Sequence, residues 1–238
     1  MKNKITIIIP TLNASKTIRS TLRSVSKDFT NIIIVDANSE DNTIQIAKKY
    51  KVKIIKSTAN RGKQLHLGAL SSNTDWILFL HADTKLSKNS FEEIKNFIKI
   101  KPNKVGYFKL KFNTQNSFAA ILEIIVYFRN IIFKLPYGDQ GLLISKSLYN
   151  NIGGFKPLPI MEDVNIIKRI AAKNLILINS HVITDASKYI KNGWMKKSIL
   201  NFICLSLYFI GYDINKIHKI YNYEKKKLIY IFLQEDPK

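Results

Sequence analysis

The chain has 238 residues, of which 46% are hydrophobic, and its formal net charge is +21. This is enough apolar material for one large domain with its own core, and the single cysteine, Cys204, excludes a fold built on intrachain disulfides. The positive charge indicates an anionic partner such as a nucleotide, a nucleic acid or an acidic membrane surface. The Lys, Ile and Asn bias of an AT-rich genome explains the same charge without any partner.

The beginning of the chain does not resemble a signal peptide. The first four residues lead into an apolar segment that ends at Pro10, which is too short for a cleaved leader. A spanning helix needs about 18 or more apolar residues in a row, and no segment reaches that length without interruption. We therefore expect a cytoplasmic protein in which Cys204 is a buried thiol in a reducing environment.

In the first half of the chain, short apolar segments alternate with helical patterns. Predicted strands cover residues 4–9, 31–35, 52–56 and 76–80, and predicted helices cover residues 15–25, 41–50 and 62–70. Pro10 is expected to end the first strand, and Ser15 to cap the first helix, whose apolar face carries Ile18, Leu22 and Val25. This alternation predicts an α/β fold with a parallel sheet and right-handed crossovers.

The second half of the chain alternates less regularly. Predicted helices cover residues 89–100, 117–135, 162–173 and 194–211, with one or two more within 213–232, and predicted strands cover residues 105–112, 142–144 and 175–178. No internal repeat or low-complexity linker divides the chain.

Acidic residues stand at the ends of two predicted strands and at the start of a helix. Asp36 follows the second strand, Asp83 follows the buried strand 76–80, and Glu162 and Asp163 open the helix after Pro159. Ligands bind at the carboxyl edge of open α/β sheets. One carboxylate would orient a nucleotide, one would hold Mg²⁺ or Mn²⁺ beside a diphosphate, and one would act as a base. Each acid also has a plain structural role as a turn or helix cap, and His81 as a half-buried core histidine.

A basic segment, Arg61-Gly62-Lys63, precedes the third predicted helix. Backbone amides at a helix start, with cationic side chains beside them, suit a phosphate, although a solvated basic turn has the same composition. The sequence contains neither GxxxxGK[ST] nor GxGxxG, which disfavours ATPase and dinucleotide functions. Zinc-ligand spacings and a serine hydrolase elbow are likewise missing from it.

Taken together, these segments resemble family 2 glycosyltransferases of the GT-A fold. The resemblance covers roughly residues 4 to 185 and rests on five blocks in the family's order: 8–13 (IIPTLN), 34–43 (IVDANSEDNT), 61–64 (RGKQ) with 68–69 (GA), 78–84 (LFLHADT), and 153–155 (GGF) with 161–163 (MED). Segments 81–84, 137–141 (YGDQG) and the tail from 193–194 (GW) are similar to one bacterial subgroup, the radical-SAM/selenodomain-associated transferases.

This resemblance implies a Rossmann-like, mostly parallel sheet and an inverting transfer from a nucleotide-diphosphate sugar to an acceptor hydroxyl. It implies that Asp163 is the catalytic base with Glu162 beside it, and that Asp83 binds a divalent cation, Mn²⁺ or Mg²⁺. The residues it places around the donor are Pro10, Thr11, Asn13, Asp36, Arg61, Lys63, His81, Ala82 and Asp83.

The chain departs from the family pattern at a few positions. His81 stands where the family has the first acid of Asp-x-Asp, so metal binding rests on Asp83 and the diphosphate. Ala14 replaces a common Glu, and Lys188, in a loosely similar segment, is a candidate diphosphate contact.

Residues 1–190 are expected to form the GT-A domain and residues 191–238 a helical extension. The apolar segments 121–133 and 194–210, with Lys at their edges, fit in-plane membrane helices and a lipid-linked or cell-envelope acceptor at the inner face of the cell membrane. Core packing or a homodimer interface explains them equally well. Two other functions fit parts of the sequence, a nucleotidyltransferase on a related sheet and a basic nucleic-acid-binding module. The scattered lysines disfavour nucleic acid.

Overall fold

A computed structural model describes residues 4–223 of the chain. Its eight strands are β1 (Ile5–Thr11), β2 (Asn31–Asp36), β3 (Lys53–Lys56), β4 (Trp76–Phe79), β5 (Thr84–Leu86), β6 (Val105–Phe112), β7 (Leu142–Ser145) and β8 (Leu175–Thr184). They form one sheet in the order β3-β2-β1-β4-β7-β6-β8-β5. The predicted helical region 213–232 lies partly outside the described residues.

Ten α-helices flank or extend this sheet within the described residues. They are α1 (Ile18–Val25), α2 (Thr43–Ala47), α3 (Arg61–Leu70), α4 (Ser90–Ile100), α5 (Ser117–Phe133), α6 (Lys146–Asn151), α7 (Glu162–Lys168), α8 (Ser187–Asn192), α9 (Trp194–Phe209) and α10 (Ile214–Tyr223). The short helices α6 and α8 were not predicted. Helix α7 ends at Lys168 instead of continuing to residue 173.

Four strands make a parallel half-sheet, as the alternating pattern predicts. β1 pairs in parallel with β2 and β4, and β2 with β3. All seven residues of β1 are buried, because helices cover both faces of the sheet there. The carboxyl ends of β1, β2 and β4 therefore lie along one edge, and the predicted α/β fold is confirmed.

The other half of the sheet is mixed. β7 runs antiparallel to both β4 and β6, whereas β8 runs parallel to β6 and antiparallel to β5. The three-residue β5 was not predicted, and β8 extends six residues past the predicted end at 178. Both differences come from pairing between distant segments, which supplies backbone hydrogen bonds that local apolar periodicity does not reveal.

Two predictions about the first βα unit are wrong. Pro10 does not end β1, which continues to Thr11. The carbonyl of Ile8 accepts from the amide of Leu80 at 3.0 Å, so the backbone of Ile8 faces β4. Pro10, two residues further along β1, faces the same side but lies just beyond the end of β4. No partner strand needs a backbone amide donor there, so the sheet tolerates proline. Ser15 does not cap α1, which begins after Thr17; the amide of Ser15 donates to Asp41 Oδ2 at 3.0 Å instead.

Buried apolar side chains form two clusters. One contains Ile18, Leu22 and Val25 of α1, as predicted. The other includes Leu200, Cys204 and Ile217, so α9 and α10 pack onto the same core as part of the sheet. Cys204 is fully buried, as expected. No helix within residues 4–223 is long and apolar enough to cross a membrane.

Candidate active site

A cleft of about 380 Å³ opens beyond the carboxyl end of β4. Side chains from α3, the β4–β5 loop, the segment before β7, α7, the α8–α9 region and α10 line it. Six of the residues that the sequence singled out meet in this cleft: Arg61, His81, Asp83, Glu162, Asp163 and Lys188. The cleft therefore joins the third, fourth and fifth sequence blocks.

Asp163 is held at the cleft by two backbone amides. Its Oδ1 accepts from the amide of Val164 at 2.8 Å, and its Oδ2 accepts from the amide of Gly138 at 2.9 Å. A Cβ atom at position 138 would lie 2.7 Å from Nε2 of His81 and 3.4 Å from Oδ2 of Asp163. A side chain at residue 138 would therefore displace this loop, and glycine allows the amide to reach the carboxylate.

Glu162 and Arg61 form an ion pair at the wall of the cleft. The Glu162 side chain is only 2% exposed, whereas that of Arg61 is 44% exposed. Burial raises the pKa of Glu162, and the guanidinium of Arg61 opposes that rise. A Cβ atom at Gly62 would lie 2.1 Å from the carbonyl oxygen of Lys156, so glycine lets α3 approach the segment that leads to Glu162.

His81 and Asp83 differ sharply in charge. Burial, with the nearby guanidinium of Arg61, lowers the pKa of His81 to about 4, so its imidazole is neutral at neutral pH. Burial alone would raise the pKa of Asp83, but the ammonium of Lys188 and the neighbouring His81 hold it below its ordinary value. Lys188 Nζ lies 2.8 Å from Asp83 Oδ2. The cleft thus presents one ionised carboxylate beside a neutral imidazole and an exposed ammonium group.

The residues from the first two sequence blocks form a separate cluster at the ends of β1 and β2. Asp36, 3% exposed, accepts from Thr11 Oγ1 at 2.7 Å, from Ser39 Oγ at 2.6 Å and from the amide of Ser39 at 2.8 Å. Asn13, in the left-handed region with φ 50°, accepts from the amide of Glu40 at 2.9 Å. Much of the hydrogen-bonding capacity of Asp36 is therefore used to shape the β2–α2 loop.

Six of the nine predicted donor-site residues lie outside the cleft lining: Pro10, Thr11, Asn13, Asp36, Lys63 and Ala82. Pro10 is buried within β1. The carbonyl of Ala82 accepts from Thr21 Oγ1 at 2.9 Å, and Lys63 Nζ donates to Thr58 Oγ1 at 3.1 Å. Gln64, which was not a candidate, ties the two strand ends together, because its Nε2 donates to the carbonyls of Thr11 at 3.0 Å and Val35 at 2.7 Å.

Asp139 is a cleft residue that sequence reasoning did not single out, although its loop was noted. Its Oδ1 is buried and has no hydrogen-bond partner among the described residues. Burial raises the pKa of Asp139 from its ordinary value of 3.8 to about 6; Arg129 opposes this shift, and Asp163 and Asp83 add to it. The sequence signal for Asp139 was its place in the segment 138–140 (GDQ), beside a family motif. That pattern alone did not show that the carboxylate is buried away from water.

The substitution Asp139→Asn is expected to stabilise the protein at pH 8. Because the pKa of Asp139 is raised in the folded protein, its contribution to the free energy of unfolding of the wild type is largest below about pH 4. That contribution is lost as the pH rises through about 6. Removing the charge should raise the free energy of unfolding at pH 8 by roughly 1–3 kcal/mol, with the lost electrostatic attraction to Arg129 as the opposing effect. Urea unfolding at pH 8 and pH 4 measures this gain, which should vanish at pH 4. A gain equal at both pH values would contradict the desolvated carboxylate.

A cleft at the carboxyl edge of a mostly parallel sheet, with acids after β4 and at the start of α7, is the ligand-binding position of an open-sheet α/β enzyme. Residues 6–157 match the model of the family described as glycosyl transferase family 2. The chain belongs to this family. Because this is a family of glycosyltransferases, the nucleotidyltransferase and nucleic-acid-binding alternatives are dropped.

Curated relatives match the chain over limited lengths. Poly(ribitol-phosphate) beta-N-acetylglucosaminyltransferase TarP of Staphylococcus aureus is 29% identical over 107 residues, which are 40% of this chain and 32% of TarP. An uncharacterized glycosyltransferase of Haemophilus influenzae is 28% identical over 180 residues, which are 70% of this chain and 61% of that protein. A second S. aureus poly(ribitol-phosphate) beta-N-acetylglucosaminyltransferase, TarS, also matches. The matched regions span about a third or less of TarP and TarS.

Solved structures share the fold. S. aureus TarS 1-349 in complex with UDP-GlcNAc superposes with a TM-score of 0.61 and 20% identity over 91% of this chain and 69% of that one. Glucosyl-3-phosphoglycerate synthase from Mycobacterium tuberculosis, in complex with Mn²⁺, UDP-glucose and phosphoglyceric acid, gives a TM-score of 0.51 and 14% identity over 73% of this chain and 68% of that one. At these identities the likeness establishes the GT-A type of fold.

Proposed function

We propose that this protein is an inverting glycosyltransferase that moves a sugar from a nucleotide-diphosphate sugar to an acceptor hydroxyl of a lipid-linked or cell-envelope glycan. The observation that carries the proposal is the placement of Asp163, whose carboxylate is fixed by two amides in a cleft that also contains Asp83, Arg61 and Lys188. Relatives named as poly(ribitol-phosphate) glycosyltransferases support a glycan acceptor.

Asp163 is the proposed general base. Its carboxylate takes the proton of the acceptor hydroxyl while the acceptor oxygen forms a bond to the anomeric carbon. The bond from that carbon to the diphosphate breaks at the same time, and its electron pair leaves with the diphosphate oxygen. A direct displacement of this kind inverts the anomeric centre. Glu162, paired with Arg61, fixes the start of α7 and so positions Asp163.

The diphosphate is proposed to lie against Arg61 and Lys188. Both cations face the cleft, and both would neutralise the charge that develops on the leaving group. The nucleoside would extend towards the cluster of Pro10, Thr11, Asn13 and Asp36, with Lys63 at its outer side. His81 and Ala82 would lie beside the sugar-diphosphate, since they stand between β4 and Asp83.

A divalent cation, Mn²⁺ or Mg²⁺, is proposed to bind through Asp83 together with the diphosphate. Residues 4–223 contain no cluster of three His, Cys, Asp or Glu side chains that would hold a metal by themselves. One carboxylate, with a neutral imidazole nearby, fits a cation that arrives with the donor, because Mg²⁺ often takes one or two carboxylates plus substrate phosphates. When bound, the cation would act as a Lewis acid on the leaving diphosphate.

Donor binding tests the proposed function directly. Thermal unfolding is measured with UDP-, GDP- and dTDP-sugars and their nucleoside diphosphates, each with Mn²⁺, Mg²⁺ or EDTA. A donor at 100 times its Kd should stabilise the protein by about 2.7 kcal/mol. For a chain of this size that corresponds to a rise in Tm of roughly 5–10 °C. ATP is the control ligand. No response to any donor or diphosphate would overturn the proposal.

Three further proposals concern the setting of the enzyme. We place the chain in the bacterial radical-SAM/selenodomain-associated subgroup, on the strength of residues 81–84, 137–141 and 193–194. We treat residues 1–190 as the GT-A domain and residues 191–238 as its helical extension. We also propose a cytoplasmic location at the inner face of the cell membrane, where a lipid-linked acceptor would be available.

A further inference from the structure

Helix α5 carries an uncovered apolar face. Among its 17 residues only Ala119, Val126 and Asn130 are buried. Eight large apolar side chains are 44–70% exposed on the described structure: Phe118, Ile121, Ile124, Ile125, Phe128, Ile131, Ile132 and Phe133. A surface helix of a soluble protein normally presents charged or polar residues on its outer side. Contiguous apolar surface of this kind marks an interaction site. We call these eight side chains the α5 apolar face.

Lysines border the α5 apolar face. Lys109 and Lys111 alternate along the exposed side of β6, which packs against α5, and Lys134 caps the helix at its C-terminal end. Lys109 Nζ lies 5.2 Å from the ring centroid of Tyr127 on α5. The one acid of the helix, Glu123, accepts from the amide of Phe112 at 2.7 Å and so faces the sheet. The border is therefore cationic around an apolar centre.

The opposite side of α5 contacts the active site. The guanidinium of Arg129 lies 3.5 Å from the ring centroid of Tyr137, and its Nη2 donates to Gln140 Oε1 at 3.0 Å. Tyr137 lines the cleft together with Asp163. The same helix thus has one side against a residue that lines the cleft and the other side open.

Helix α9 repeats this arrangement. Its Lys197 and Asn201 line the cleft, while Met195, Ile199 and Phe202 are 65%, 51% and 68% exposed. Both helices contact the end of β6, where Glu123 of α5 accepts from the amide of Phe112 and the ring centroid of Phe112 lies 5.1 Å from that of Trp194 at the start of α9. Exposed apolar surface therefore occurs on both α5 and α9.

We propose that the α5 apolar face, with Lys109, Lys111 and Lys134, docks into the interfacial region of an acidic phospholipid bilayer. Apolar side chains would enter the acyl boundary while the lysine ammonium groups contact anionic headgroups. The benefit of such docking, delivery of a lipid-linked acceptor to the cleft, rests on the proposed function. A second copy of the chain fits this surface poorly, because each copy carries a net charge of +21 and like-charged lysine borders would meet.

The test is sedimentation of the full chain with vesicles of phosphatidylglycerol and phosphatidylcholine, compared with phosphatidylcholine alone. The variant Ile124→Asn/Phe128→Asn should lower the partition coefficient on acidic vesicles roughly hundredfold, since two large apolar groups no longer enter the lipid. Lys109→Gln/Lys111→Gln should lower it by roughly tenfold or more on acidic vesicles and leave binding to neutral vesicles unchanged. Ile100→Asn on α4, at a side chain that is 72% exposed, is the matched control and should change nothing.

Unfolding midpoints are measured for all variants. We expect every variant to fold, because the substituted side chains are exposed. Wild-type protein that stays in the supernatant with acidic vesicles overturns the proposal. A lipid-independent dimer that Ile124→Asn/Phe128→Asn dissociates also overturns it and assigns the surface to a second copy. Donor binding is measured separately on the same variants. Vesicle binding without donor binding would contradict the proposed function alone, and donor binding without vesicle binding would contradict the docking surface alone.

Discussion

Asp163→Asn is expected to abolish sugar transfer while donor binding persists. The amide has nearly the shape of the carboxylate and its oxygen can still accept from the amide of Gly138, but it cannot take a proton from the acceptor. General-base catalysis contributes typically 10²–10⁴-fold, so kcat should fall by roughly that factor while the donor Kd changes little. The measurement pairs initial rates of sugar transfer with calorimetric titration of the nucleotide sugar.

Asp185→Asn is the matched control for this substitution. Asp185 also lines the cleft, but its oxygens accept from Asn113 Nδ2 at 3.0 Å and from the amide of Ser187 at 2.9 Å, so its carboxylate is engaged in fixing the chain after β8. The control removes the same charge from the same cleft and should retain most of the turnover. Turnover retained by Asp163→Asn would move the general base to another residue.

The sequence was sufficient to predict the part of the site that depends on strand order. Once four strands alternate with helices, the sheet must be parallel and the ends of β2 and β4 must lie along one edge. That reasoning placed Asp36 and Asp83 on the same edge. Arg61, Glu162 and Asp163 were candidates because they stand at helix starts, and the family resemblance then implied their roles. The apolar segment 76–80 was the most informative part of the sequence, because an uninterrupted apolar segment of this length is typical of a strand buried on both faces.

The remaining contacts depend on packing between distant residues. Lys188 reaches Asp83 across 105 positions of sequence, and Gly138 reaches Asp163 across 25. Nothing in the local pattern around Asp139 indicated that burial would raise its pKa. Periodicity also failed to show which face of α5 is covered, since that helix is apolar on nearly all sides and only the packed structure separates buried Val126 from exposed Ile125.

Arg61→Met is expected to destabilise the protein by about 3 kcal/mol at pH 8. The substitution leaves the carboxylate of Glu162 buried without its partner, and breaking a buried ion pair in this way typically costs about 3–5 kcal/mol. Arg61 is itself 44% exposed, so water reaches the pair and the lower end of this range applies. The pKa of Glu162 is already raised, and without the opposing guanidinium it should rise further. The loss in the free energy of unfolding should therefore be largest at pH 8 and smaller at pH 5, because protonation removes the buried charge as the pH falls. Urea unfolding at both pH values measures it.

The double variant Arg61→Met/Glu162→Met separates stability from function. It removes both charges and replaces them with apolar side chains of similar length, so most of the lost stability should return. Its affinity for nucleotide sugars should remain low, because Arg61 is also a proposed diphosphate contact. Glu162→Gln alone serves as the control that keeps Arg61, and it should retain donor affinity better than the double variant. If the double variant were less stable than Arg61→Met, the cost would not come from an unpaired carboxylate. If it bound donor as well as the wild type, Arg61 would act only by holding Glu162 and the start of α7 in place.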